Sequence, residues 1–259
     1  VEWQKFDFFR VNFGQFKRSF GFENPYSPID VGLGSYSQAT MKIASIGDRN
    51  GEHKSSGRDL GAQVQGDFLT APDGHKWIHY QVGLFNGHTD KDNHKDLIGG
   101  LWFSPIKDLA IGGFGWNGKY TNEKYDSSDP KSLKSVKRVR WGAGLKYESR
   151  WTVRGEYMSS VGGVANDATA PDRADAWYAT LGIPVMKNFK IYTRYDCYRH
   201  AKTWNSLRTD YGISGNYYLG KNLIFQLNYT FTDDRAARNA TNPTDSHYNT
   251  FDLQLTARF

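Results

Sequence analysis

The sequence has little of what marks most other classes of protein. Its one cysteine, Cys197, cannot form a disulfide within the chain. No apolar run reaches about 18 residues, which excludes a membrane protein built from helices. No glycine-rich loop precedes a helical pattern, so nucleotide binding has no support. The net charge of +6 is modest and comes without a basic helix or an RNA-binding signature, which argues against a nucleic-acid partner.

Aromatic residues, by contrast, are abundant, with 16 Tyr, 16 Phe and 8 Trp. A mean hydropathy of -0.68 would by itself suggest a soluble protein. Transmembrane barrels have the same composition, because half of each strand faces water. Two aromatic girdles would explain the excess, and an aromatic-rich soluble β-sandwich is the alternative. No signal peptide precedes Val1, which predicts a mature segment that need not begin at the protein's own N-terminus.

The end of the chain shows strict alternation of apolar and polar residues. Phe251, Leu253, Leu255, Ala257 and Phe259 alternate with polar residues. A strand of about ten residues with one apolar face has the length that crosses a bilayer at a tilt. The same alternation recurs along the chain and predicts twelve strands. Their predicted spans are 5–16, 58–69, 76–86, 96–105, 108–120, 136–149, 151–160, 174–184, 188–199, 207–219, 222–232 and 248–259.

Short and long connections alternate between these strands, as in an antiparallel meander with turns at one rim and loops at the other. The short ones are 71–74, 105–108, 149–150, 185–187 and 220–222, and the long ones are 87–95, 121–135, 161–173, 200–206 and 233–247. The longest connection, 17–57, has about forty residues, a length that is usually functional. The sequence therefore predicts a single barrel domain over 1–259, with 17–57 folded into the lumen.

The two faces of each predicted strand differ in chemistry. Arg138 and Arg140 lie on one face of their strand, whereas Leu223, Phe225 and Leu227 form an apolar stripe on another strand. Arg or Lys on a lipid-facing surface near the midplane costs roughly 2 to 4 kcal/mol. The charged faces are therefore predicted to point inward, around a hydrated lumen instead of a packed apolar core.

Basic residues dominate the predicted lumen and the long loop, and such residues favour the passage of anions. An alternative is that Glu148, Glu156 and Asp196, on the same faces, pair with them and brace the wall. For the loop, the alternative is an exposed segment with solvated charge. The predicted solute pathway consists of Lys17, Lys42, Arg49, Arg138, Arg140, Lys146, Arg154, Lys190 and Arg194.

Two patterns suggest other chemistry. His53 and Ser55 lie two residues apart and resemble the H-x-S-N-G motif of outer-membrane phospholipase A, although Ser56 replaces its Asn. Four histidines at 75, 79, 88 and 94 lie near aspartates, as a weak metal site would require. Ordinary loop residues are the simpler interpretation of both, so we predict no enzyme, no metal and no cofactor.

Two segments resemble the phosphate-selective porin O and P family. The first, V-N-F-G-Q-F-K-R-S-F-G-F-E at 11–23, precedes the long loop, and the second, G-R-D-L-G-A-Q-V-Q-G at 57–66, follows it. G-L-F-N-G at 83–87 is similar to the family's G-x-x-N-G. The matching positions are Gly14, Phe16, Lys17, Phe20, Gly21, Glu23, Arg58, Asp59, Gly61 and Gly66.

This resemblance implies a sixteen-stranded, trimeric outer-membrane barrel whose third external loop enters the pore. Segment 5–16 would then be the fifth strand, and the chain would supply the last twelve. We therefore expect a porin in the outer membrane of a Gram-negative bacterium, in contact with bilayer and lipopolysaccharide, through which small hydrophilic, mainly anionic solutes diffuse. The competing hypotheses are a phospholipase-type enzyme and a structural subunit of a larger assembly whose lumen is plugged by 17–57.

Overall fold

The computed structural model describes residues 1–44, 56–87, 93–122, 124–165, 167–220 and 222–257. Within them, thirteen strands form one sheet in which every strand pairs antiparallel with its neighbours in sequence. The strands are β1 (Glu2–Phe6), β2 (Phe9–Lys17), β3 (Arg58–Thr70), β4 (Lys76–Phe85), β5 (Asp96–Phe103), β6 (Leu109–Thr121), β7 (Ser135–Glu148), β8 (Thr152–Val161), β9 (Arg173–Met186), β10 (Phe189–Arg199), β11 (Leu207–Leu219), β12 (Leu223–Asp234) and β13 (His247–Ala257).

Among the described residues, helical structure is limited to four short turns. Pro28–Asp30 and Trp204–Ser206 are 3-10 turns, Ala39–Ile43 is a π-helical turn, and Arg235–Arg238 is one α-helical turn. Across the described part of the chain, no helix is both long and apolar enough to span a membrane.

The predicted first strand, 5–16, is wrong as a single element. The structure has a hairpin there, in which Trp3 pairs with Val11 and Phe6 with Phe9 around the turn Asp7–Phe8. This turn contains no glycine, and the aromatic residues on either side hide it in the alternation pattern. The described residues therefore contain thirteen strands instead of twelve, whereas the other eleven predicted strands lie within a few residues of the observed ones.

Connections alternate between the two rims of the sheet as predicted. The tight turns after β1, β3, β5, β7, β9 and β11 lie at one rim, which we call the short-turn rim, and the longer connections lie at the long-loop rim. β1 and β13 are the two edge strands, and no pairing joins them within the described ranges.

One face of the sheet, the outer face, exposes large apolar side chains along the middle of the strands. Leu227 is 55% exposed and Leu101 is 58% exposed. Their neighbours in sequence point the other way, since Asn228 is 3% and Gln226 6% exposed. This arrangement is the reverse of a soluble protein, because the apolar face is the exposed one.

Aromatic rings on the outer face are concentrated near both rims. Near the long-loop rim, Tyr211 contacts Phe231 with ring centroids 6.1 Å apart, and Trp177 contacts Trp204 at 6.3 Å. Near the short-turn rim there are two groups of ring contacts, a series formed by Phe6, Phe8, Phe68 and Tyr80 and a pair formed by Trp77 and Phe103. Such belts suit the boundary between headgroups and hydrocarbon.

The opposite face, the inner face, is covered by residues 18–44. Phe20 and Phe22 of this segment are buried against Phe85, Phe114 and Trp116 of the strands. The sequence-based prediction of an inner face without an apolar core is therefore wrong in this region. The alternation rule missed it because β4 and β6 place aromatic residues on the same face as polar ones.

We expect Leu227→Arg to lower the free energy of unfolding of the chain in lipid vesicles by about 2–4 kcal/mol, because it places a charge in mid-strand on the exposed apolar face. Urea-induced unfolding, followed by tryptophan fluorescence, measures this loss. Leu227→Met is the matched control and should cost less than about 1.5 kcal/mol. Equal stability of the Arg and Met variants would show that this face does not contact lipid.

Candidate solute pathway

Three strands, β8, β10 and β11, present charged and amide side chains to the segment 18–44. Alternation along β8 and β10 puts Arg154 and Glu156, then Arg194 and Asp196, on the inner face. β11 adds Asn216, whose side-chain amide donates to the Gly32 carbonyl at 2.9 Å. All five of these wall side chains are 7% exposed or less. Buried charges of this kind need close partners, and the segment supplies many of them.

Glu156 holds the backbone of the segment directly. Its carboxylate accepts hydrogen bonds from the amides of Phe22 at 2.7 Å and Glu23 at 2.9 Å, and from the Tyr178 hydroxyl at 2.7 Å. Gly21 lies beside it with φ +83°, and a side chain at Gly21 would collide with Glu156 and Met158. The residue before Phe22 must therefore be glycine, because its backbone is in the left-handed region and because a side chain would not fit there.

Arg194 holds the segment two strands farther on. Its guanidinium lies 3.2 Å from the Glu23 carboxylate and donates to the Ser35 carbonyl at 2.7 Å. Glu23 also accepts from the Ser37 amide at 2.8 Å. Asp196 completes this group by accepting from the Gln38 amide at 2.8 Å. Polar groups of the turn at 35–38, in which Ser37 is buried, are thus bound by Arg194 and Asp196 of the wall and by Glu23.

Arg154 holds the middle of the segment. It donates to the Val31 carbonyl at 2.9 Å and to Glu148 at 2.7 Å, and it stacks on Tyr26 at 4.5 Å. The Tyr26 hydroxyl donates to Glu148 at 2.6 Å. Burial, with the nearby Glu148 carboxylate, raises the pKa of Tyr26 well above its usual range, so its hydroxyl stays a proton donor.

Two predicted lysines lie against the same segment. The Lys17 ammonium donates to the Asn24 carbonyl and the Tyr36 hydroxyl, both at 2.9 Å, and also to the Tyr26 carbonyl. Lys146 lies 5.6 Å from the Tyr26 ring. Lys42 is half-buried on the turn Ala39–Ile43. Arg49 was also predicted to line the pathway, but it lies outside the described residues.

Arg138 and Arg140 lie on the inner face of β7, nearer the long-loop rim. Arg140 stacks on Trp116 at 4.1 Å, and Arg18 lies over the same ring at 5.1 Å. Arg138 donates to the Gly163 carbonyl at 3.2 Å and lies 5.6 Å from the ring of Tyr120. Stacking on electron-rich ring faces partly compensates the charge of buried guanidinium groups.

Lys190 lies at the short-turn rim, away from the contacts described above. Its ammonium donates to the Thr152 hydroxyl at 2.6 Å. Together with Arg150 and Lys187 it lines a cavity of about 530 Å³ that also contacts Tyr192 and Tyr218. We call this cavity the basic mouth, because all the charged residues that line it are cationic.

The structure separates the predicted basic set into groups with different surroundings. Arg154 and Arg194 hold the segment 18–44, and Lys17 does so from β2. Arg138 and Arg140 stack on wall aromatics, while Lys190 lines the basic mouth. The bracing alternative fits Arg154, which pairs with Glu148, and Arg194, which lies 3.6 Å from Asp196.

Sequence analysis missed several residues that organise this region. Glu23 and Gln38 lie in an irregular segment, where no periodicity points to an inner-wall partner. Arg150 and Lys187 lie in tight turns, where charge is common and carries no signal. The sequence did indicate that Glu156 lies on the inner face, because it alternates with Arg154. Its carboxylate, however, binds the backbone amides of the segment instead of a basic side chain.

The two alternative sites receive no support from the described residues. His53 and Ser55 lie outside them, as does His88. His79 hydrogen-bonds Asp67 at 2.6 Å and stacks on Trp102 at 3.9 Å. No group of three or more potential metal ligands occurs within the described ranges.

We expect Glu156→Gln to speed hydrogen exchange of the Phe22 and Glu23 amides, because an amide side chain cannot accept as the carboxylate does. Losing a charged acceptor costs about 1.5–3 kcal/mol, or roughly a tenfold to hundredfold faster exchange if the segment opens locally. Peptide-resolved exchange with mass spectrometry measures it.

Asp67→Asn is the matched control, since it neutralises an inner-face carboxylate that binds Arg10 and His79 of the wall. Exchange at residues 22–23 should be unchanged in this control. Unaltered protection of these amides in Glu156→Gln would mean that other contacts hold the segment.

The chain is similar to known proteins in structure but not in sequence. No family model and no curated protein sequence matches the chain. The anion-selective porin from Comamonas acidovorans superposes with a TM-score of 0.71 at 11% identity, over 98% of this chain and 75% of that one. Outer-membrane expressed OmpT of Vibrio cholerae superposes with a TM-score of 0.62 at 15% identity, over 98% of this chain and 78% of that one. For the outer-membrane channel DcaP of Acinetobacter baumannii, the TM-score is 0.56 at 12% identity, over 97% of this chain and 71% of that one.

These likenesses confirm the predicted fold class, an antiparallel transmembrane β-barrel. They do not extend to the phosphate-selective O and P family, which stays a prediction from the motifs around 11–23 and 57–66. At this level of identity the similarity concerns the fold alone. The chain has the barrel fold found in outer-membrane porins.

Proposed function

We propose that the chain is a porin of a Gram-negative outer membrane, through which small hydrophilic solutes diffuse passively. The single observation that carries this proposal is the inversion of the sheet, with an exposed apolar outer face and a charged inner face. A barrel with lipid outside and polar groups inside makes that inversion favourable. Segment 17–57 would then lie within a single barrel domain, where its described part narrows the pathway.

A mild preference for anions is part of this proposal. We assign the preference to the basic mouth and not to a uniform basic stripe along the lumen wall. Arg154 and Arg194 bind the segment 18–44, so their charge is largely compensated where they lie. The basic mouth, with Arg150, Lys187 and Lys190, has no acidic residue in its lining. An electropositive entrance raises the local concentration of anions without binding them tightly. The Comamonas protein, an anion-selective porin, gives this proposal some support.

Phosphate selectivity, trimer formation and lipopolysaccharide contact are finer proposals on the same basis. Phosphate selectivity is supported only by the motif resemblance. A trimeric state is suggested by the trimer form of OmpT, which shares the fold at 16% identity. The exposed aromatic belts at both rims suit a bilayer environment.

A second candidate function is supported by one observation. The dry cluster of Phe20, Phe22, Phe85, Phe114 and Trp116 fills part of the inner face, as a plugged structural barrel would require. Such a barrel would conduct no ions although it inserts and folds. The phospholipase hypothesis depends on His53 and Ser55 and is tested by lipid hydrolysis with the purified chain.

Planar-bilayer recording separates these functions. We expect stepwise increments of conductance. Across a KCl gradient, we expect a reversal potential whose sign indicates that anions permeate more readily than cations. Folded, inserted protein without conductance would favour the plugged barrel, and release of fatty acid from phospholipid vesicles would favour the enzyme.

We expect Lys187→Glu/Lys190→Glu to shift the reversal potential toward that of a cation-preferring channel, because it reverses two charges of the basic mouth. The shift should be larger at 0.1 M than at 1 M KCl, since the Debye length falls from about 10 Å to about 3 Å.

Lys107→Glu is the control for charge at the same rim, because Lys107 is exposed in the β5–β6 turn and does not line the basic mouth. It should leave the reversal potential close to that of the parent chain. An equal shift in both variants, or none in either, would place the selectivity elsewhere.

A further inference from the structure

The outer face has a groove that the fold itself does not require. It lies across β4 to β7, has a volume of about 710 Å³, and is lined by apolar side chains such as Leu97, Leu101 and Val139. Gly99, Gly113 and Gly115 are also among its lining residues. On an otherwise convex apolar surface, such a groove brings the backbone within reach of an external group.

Gly115 is the most informative residue of the groove. It is exposed, and a Cβ placed on it would meet no atom within 4 Å. Its cross-strand partner Trp141 does not cover it, because the Trp141 ring packs on Tyr157 of β8 at 5.3 Å. Glycine in a strand costs stability, and none of the described residues fills the space over Gly115. An external group that fills the groove would explain the absence of a side chain.

Above the groove, toward the long-loop rim, two lysines face each other across the ladder. Lys119 of β6 pairs directly with Lys137 of β7. Both lie on the outer face, because Arg138 and Arg140 alternate with Lys137 onto the inner one. Like charges directly opposite one another destabilise a strand pair. No acidic side chain of the described residues forms a salt bridge with either lysine, so an external anion would relieve the repulsion.

The spacing between the lysine pair and the groove matches a membrane lipid. Four residues separate Gly115 from Lys119, or about 13 Å along the strand. The hydrocarbon of one leaflet is about 15 Å deep, so a phosphate at the lysines places its acyl chain over the glycines. Lys95, exposed just before β5, adds a further cation near this rim.

We propose that this surface is a binding site for an anionic, phosphate-bearing lipid of the leaflet on the long-loop side. The lipid phosphate lies between Lys119 and Lys137, and one acyl chain occupies the groove over Gly115. The proposal rests on the membrane location given under the proposed function, but it does not depend on conductance.

Native mass spectrometry of the whole chain in detergent tests the site, with phosphatidylglycerol as the anionic probe and phosphatidylcholine as the neutral one. We expect the parent chain to retain phosphatidylglycerol preferentially. Lys119→Gln/Lys137→Gln should weaken this binding roughly thirtyfold, because each lysine near an anionic lipid contributes about a factor of five. Lys5→Gln/Lys107→Gln, exposed near the opposite rim and outside the basic mouth, should leave it unchanged.

Gly115→Leu tests the groove separately from the charge. It should weaken retention of both lipids while the chain stays folded, because the added side chain meets open space. Inorganic phosphate at millimolar concentration should not displace the lipid, whereas displacement would point to a free-anion site and overturn the proposal. Equal retention by the parent, the double glutamine variant and Gly115→Leu would also overturn it.

A second copy of the chain is the other possible occupant of the groove. If Gly115→Leu lowers the oligomeric state seen in the same spectra and leaves lipid retention intact, the groove is a subunit contact and the lipid site is wrong. Bilayer recording keeps the two proposals distinguishable. Selective lipid retention without conductance would reject the porin alone, and conductance without selective retention would reject the lipid site alone.

Discussion

Backbone hydrogen bonding between neighbouring strands is the interaction on which the other features depend. The ladder runs from β1 to β13 with little disturbance of register, so the alternation of each strand adds to that of the next. A slip of one residue in any strand would turn its charged side chains outward. Continuous register therefore makes it possible for one sheet to be apolar on its outer face and, outside the aromatic cluster on β4 and β6, polar or charged on its inner face.

The inner face is organised by the need to satisfy buried charge. Glu156, Arg154 and Arg194 are almost fully buried, and each is bound by backbone groups or an opposite charge from the segment 18–44. The segment in turn has little regular structure, so its own amides and carbonyls need these partners. Wall and segment thus satisfy each other's buried polar groups.

Charge has different consequences at different depths of the barrel. Cations that hold the segment are largely neutralised by their partners. Under the proposed function, those of the basic mouth act on solutes before they enter, and under the proposed lipid site the lysine pair on the outer face acts toward the membrane. The surroundings of these cations thus differ in three ways that the net charge alone does not distinguish.

Alternation in the sequence by itself determined the strand positions, the meander order and the face of residues such as Arg140 and Leu227, because side-chain direction in a strand depends only on parity. It did not reveal the hairpin around Asp7–Phe8, whose turn lacks a distinctive residue. The partners of Glu156 and Arg194 in the segment 18–44 were decided by tertiary structure alone, since they are more than 130 residues away in sequence. Irregular segments have no period from which such contacts could be predicted, and their positions follow only from the packing of the whole barrel.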